Sequence, residues 1–179
     1  SLAEIDIEQL LGNAQIMHDL LFDPGVRLKP NPVRRSSQDY LHASSQYWTQ
    51  LEAELTERKT SSGMPLMTGL LTEIKAMIMG LYPECSEIMS EFNQLMEIPV
   101  LIKRMQQASQ VSLANLIPLI TPLIRQNCAP RRDGILAAME EMAAEGQVIP
   151  VLRLCLDLCE QMKLDLVNHR LCKERVNYS

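Results

Sequence analysis

The residues of this chain predict an all-α fold, a single bundle of seven to eight helices with proline-rich connectors, on three observations. The apolar set is built on Leu, Ile and Met: eleven Met stand against two Phe, one Trp and four Tyr. Leu and Met lose little rotamer freedom in a helix, whereas β-structure draws on aromatic and β-branched residues. Seven Gly in 179 residues leave few tight hairpin turns. Apolar residues also recur at three- and four-residue steps through most of the chain. This length suits one domain, 1–179, with one core. The balance of 46% hydrophobic and 22% charged residues is that of a globular protein rather than a disordered one.

Taken in order, Ile5, Leu10, Leu11, Ile16, Met17 and Leu20 define a first amphipathic helix ending near Phe22. The stretch from Phe22 to Arg35 holds Pro24, Gly25, Pro30 and Pro32 and reads as an extended connector, because proline lacks an amide donor and restricts the residue before it. A second helix begins at Ser36 or Ser37, with Ser36 and Asp39 spaced as a capping box. Its expected core stripe is Tyr40, Leu41, Tyr47, Trp48, Leu51 and Leu55. After a polar break from Thr56, Pro65 suits the first turn of a third helix carrying Leu66, Leu70, Leu71, Ile74, Ile78 and Leu81, which Pro83 ends.

Ile88, Met89, Phe92, Leu95 and Met96 form a shorter fourth helix, and Pro99 opens a fifth with Leu101, Ile102 and Met105. Between Ser112 and Pro130, prolines 118 and 122 predict either a kinked buried helix or two short ones. Asp133 starts another helix that runs through Met142 and is stopped by Gly146. The last, from Val148 to about Arg175, has Pro150 in its first turn and Leu152, Leu156, Cys159, Met162, Leu166 and Val167 inward.

The charge and residue types exclude several functions. A net charge of -5 with a pI near 5.2 argues against nucleic acid as a partner, which calls for a basic face. No uninterrupted apolar run approaches the ~18–20 residues of a transmembrane segment. Five Cys scattered through helical patterns read as reduced thiols of a cytoplasmic or nuclear protein. The three histidines, His18, His42 and His169, are too few and too isolated for acid–base or nucleophilic catalysis. His18-Asp19 lacks the further ligands of a metal-dependent HD phosphohydrolase. Cys155 and Cys172, on one helix, would stand ~25 Å apart and cannot share a zinc ion. No phosphate-binding loop or dinucleotide fingerprint occurs. We therefore expect no enzyme, no metal and no cofactor.

Four features remain for function. Arg27, Lys29, Arg34 and Arg35, with Arg125, Arg131 and Arg132, make positive clusters on an acidic protein, either solvated surface or a patch for an acidic protein partner. Arg34-Arg35-Ser36-Ser37 has the spacing that basophilic kinases of the cyclic-AMP-dependent type accept, so Ser37 is a candidate phosphosite as well as a candidate cap. Met64, Met67, Met77, Met79, Met89, Met96 and Met105 suit an adaptable groove, with core filling the preferred reading. Finally, the basic loop Arg27–Arg35 is suited to anionic lipid.

Three stretches carry a family resemblance. Met17–Asn31 followed by Gln46–Leu55 resembles the "HD…FDP…RPN…YW…LEAEL" opening of fungal suppressor-of-kinase proteins. Leu71–Pro83 is similar to an "EIK…LLP" helix, and Asn127–Asp133 with Met162–Leu171 to "LCAPxRD" and "MKLDxxN" signatures. In order along most of the chain, these resemble the t-complex protein eleven family, near its fungal suppressor-of-kinase branch. The basic, glycine-rich stretch usual after "RPN" is shortened here to Pro32–Ser37.

The resemblance implies an all-helical, non-catalytic domain tied to cyclic-AMP/protein kinase A signalling, with a kinase A subunit or another signalling protein as partner. It also implies that the domain runs beyond Ser179, which would leave a bare apolar face and a tendency to form a homodimer in isolation. The motif-like positions Asp19, Phe22, Asp23, Pro24, Asn31, Trp48, Pro130, Asp133, Lys163, Asp165 and Asn168 are read as structural, since Asp and Asn often cap helices and pin loops. The competing functions are a structural helical module of a larger assembly and a peripheral membrane module.

Overall fold

The computed structural model describes residues 37–57, 63–82, 87–107, 111–127 and 130–178, and all regular structure among them is helical. The expected first helix, the connector up to Arg35 and Pro83 lie outside these residues. The described elements are α1 (Gln38–Glu57), α2 (Pro65–Met79), α3 (Glu87–Leu95), α4 (Ile98–Gln107), α5 (Val111–Asn127), a 3-10 turn (Pro130–Arg132), α6 (Asp133–Ala144) and α7 (Val148–Tyr178). The all-α expectation holds.

The helix ends follow local chemistry. Ser37 caps α1, its Oγ accepting from the amide of Tyr40 at 3.3 Å, so the cap is the second of the two serines. Pro65 opens α2, where a missing amide costs nothing. That helix stops at Met79, well short of Pro83: the amides of Leu81 and Tyr82 bond back to the carbonyls of Ile78 and Met79, tightening the last turn. Gly146, at φ 75°, ends α6. Its amide bonds to Ala143 O at 3.0 Å and that of Gln147 to Met142 O at 2.9 Å, the paired bonds of a Schellman motif.

Of the two expectations for the proline pair, a single helix is found, with Pro118 and Pro122 both inside α5. Four residues apart, they share one face, and both are exposed. Leu116, Ile117, Ile120, Thr121 and Ile124 fill the buried side.

The longest element, α7, has 31 residues and spans about 46 Å. It packs against α1, α2, α5 and α6, while α2 also meets α1 and α4, and α5 meets α4 and α6. The core between them is aliphatic and sulfur-rich. Met64, Met67, Met77, Met96 and Met105 are buried among Leu51, Leu70, Leu71, Ile74, Ile78, Phe92 and Leu136, as core filling requires, whereas Met79 and Met89 are half-buried.

Two core expectations are corrected. Tyr40 and Leu41 are 42% and 55% exposed, so the buried side of α1 begins at Tyr47. Among the described residues the helix buries side chains only in its second half, and periodicity alone cannot say where a partner helix stops. Leu95, at the last residue of α3, is 44% exposed, and the adjoining Met96 is the buried residue.

Candidate functional site

Few polar side chains are buried, so those that are show what the fold needs. Glu54 on α1 is 9% exposed. Its Oε1 accepts from the amide of Leu66 at 3.1 Å and its Oε2 from that of Met67 at 2.8 Å. These are the second and third residues of α2, whose own preceding residue, Met64, offers no side-chain cap. A carboxylate from one helix thus satisfies two open amides of the next, at the positive end of its dipole.

A lysine performs the complementary task at a C-terminus. Lys75 of α2 donates to Met96 O at 2.9 Å and Asn93 O at 3.4 Å, meeting open carbonyls where α3 ends. Tyr82 donates its hydroxyl to Leu123 O, fastening the turn after α2 to α5. Thr121, fully buried in α5, donates to Glu140 Oε1 of α6 at 2.6 Å, and Arg125 stands 3.6 Å from the same oxygen.

An ionic tie joins α7 to the 3-10 turn before α6. Arg132 Nη1 lies 2.5 Å from Asp165 Oδ2, the arginine side chain 8% exposed and the carboxylate 42%. Arg132 therefore differs from the surface arginine expected from its PRRD context: its guanidinium is buried and engaged. Asp165, one of the motif-like positions, is its partner. Nearby on α7, half-burial pushes the Lys163 amine below its ordinary value.

An aromatic seam lies where α1 crosses α7. Trp48 is half-buried, with the Tyr47 ring edge-on at 5.3 Å and the Arg153 guanidinium 5.7 Å from its centroid. Burial, then the negative charges of Glu73 and Glu54, raises the Tyr47 phenol above its ordinary value.

The remaining expected positions are scattered. Pro130 and Asp133 are exposed at the entry to α6, and Asn168 is half-buried on α7. Arg125 is exposed. Arg27, Lys29, Arg34, Arg35, Asp19, Phe22, Asp23, Pro24 and Asn31 lie outside the described residues. Cys155 and Cys159 are buried free thiols and Cys172 a half-buried one, strung along one continuous helix. No described helix is long and apolar enough to cross a membrane.

Sequence reasoning missed Glu54, Lys75, Tyr82 and Glu140. A partial signal exists for two of them: Glu54 breaks the apolar spacing between Leu51 and Leu55, and Lys75 interrupts Ile74–Met79. A charge inside an apolar stripe needs a fixed partner. Among the described residues, the family-like stretches contribute ties: Glu54 from Gln46–Leu55, Lys75 and Tyr82 from Leu71–Pro83, Arg132 from Asn127–Asp133 and Asp165 from Met162–Leu171.

The chain is 25% identical over 182 residues to Protein SOK1 of Saccharomyces cerevisiae, an alignment covering 95% of this chain and 20% of that protein. The chain thus spans about a fifth of the length of this relative. No solved structure matches it. The family model for T-complex protein 11 matches residues 16–176, nearly the whole chain, and the chain belongs to that family.

Proposed function

We propose that this chain is a non-catalytic, helical protein-interaction domain that acts in cyclic-AMP/protein kinase A signalling by docking a signalling protein, a kinase A subunit being the first candidate. The observation that carries the reading is where the polar residues of the family stretches go. Glu54, Lys75, Tyr82, Arg132 and Asp165 are all engaged in tying helices together. Residues used this way build a frame and leave the outer surface to make contacts.

Among the candidate arginines whose side chains are described, Arg125 stands at that surface and Arg132 does not. The docking patch proposed here therefore draws on Arg125 with Arg27, Lys29, Arg34, Arg35 and Arg131, and leaves Arg132 to the fold. Binding of purified kinase A regulatory and catalytic subunits tests it, using the chain and a variant with Arg34, Arg35, Arg125 and Arg131 changed to Glu. Binding by the unaltered chain and its loss in the variant support the reading; no binding of either subunit removes it.

The span of about a fifth of SOK1 favours a second reading, a structural module of a longer protein. Binding of this chain to the remainder of its full-length protein, with no affinity for kinase subunits, would favour that reading.

A further inference from the structure

We draw no further inference here: the strongest candidate, the exposed apolar corner of Leu95 and Val100 between α3 and α4 beside Lys103 and Arg104, carries nothing because nothing in the structure shows what covers it.

Discussion

Replacing Glu54 tests whether polar ties at helix ends hold this fold together. In Glu54→Ala, the amides of Leu66 and Met67 lose both acceptors at a site only 9% exposed. Hydrogen bonds to charged groups contribute about 1.5–3 kcal/mol each, and a lost helix cap costs about 0.5–2 kcal/mol. These overlap, because water reaches part of the vacated space, so the expected loss is about 3 kcal/mol.

In Glu54→Gln one oxygen is kept, but an NH2 faces the second amide and two donors meet; about 2 kcal/mol is expected. Since a domain has only about 5–15 kcal/mol of stability, either change is visible. Urea denaturation followed by far-UV circular dichroism reads it as a lower midpoint at unchanged slope, and about 3 kcal/mol corresponds to a Tm lower by roughly 6–12 °C. If both variants unfold within about 0.5 kcal/mol of the unaltered chain, the carboxylate is not an essential cap and the reasoning fails.

The Arg132–Asp165 pair should respond asymmetrically, because only the arginine is buried. Asp165→Ala strands a buried guanidinium and should cost about 2 kcal/mol, below a fully buried pair since water reaches that side, whereas Arg132→Met removes the charge and should cost under about 1 kcal/mol; the reverse order in denaturation would contradict the geometry. Lys75→Met keeps the apolar stem but not the ammonium and should cost about 1 kcal/mol, read as faster hydrogen exchange in α3. For Tyr47 the folded phenol titrates above its unfolded value near 10, so the folded state holds its proton longer. That contribution is complete below pH ~10 and is lost as pH rises through the folded value. Tyr47→Phe should flatten the alkaline fall in stability, and an unchanged slope would assign the fall to other groups.

Periodicity and breakers made the helices legible. The spacing of Leu, Ile and Met places most of them, and Gly146 stops α6 where its composition says it should. Met64, Met67, Met77, Met96 and Met105 read correctly as core for the same reason, since a side chain that recurs with the helical period meets a packed neighbour. These are local properties, written within one or two turns of chain.

Tertiary structure decided which faces found partners and which charges were internal. Leu41 has the same pattern as Leu51, yet one is 55% exposed and the other fully buried, because among the described residues the neighbours of α1 cover only its second half. Arg132 looks like its sequence neighbour Arg125, yet it is buried against a carboxylate 33 residues later, while Arg125 stays at the surface beside Glu140. Glu54 reads as an ordinary helix-surface acid until α2 is folded against it, 13 residues on. An open helix end draws on whichever donor or acceptor packing brings to it, and that choice depends on distances that do not exist until the helices have docked.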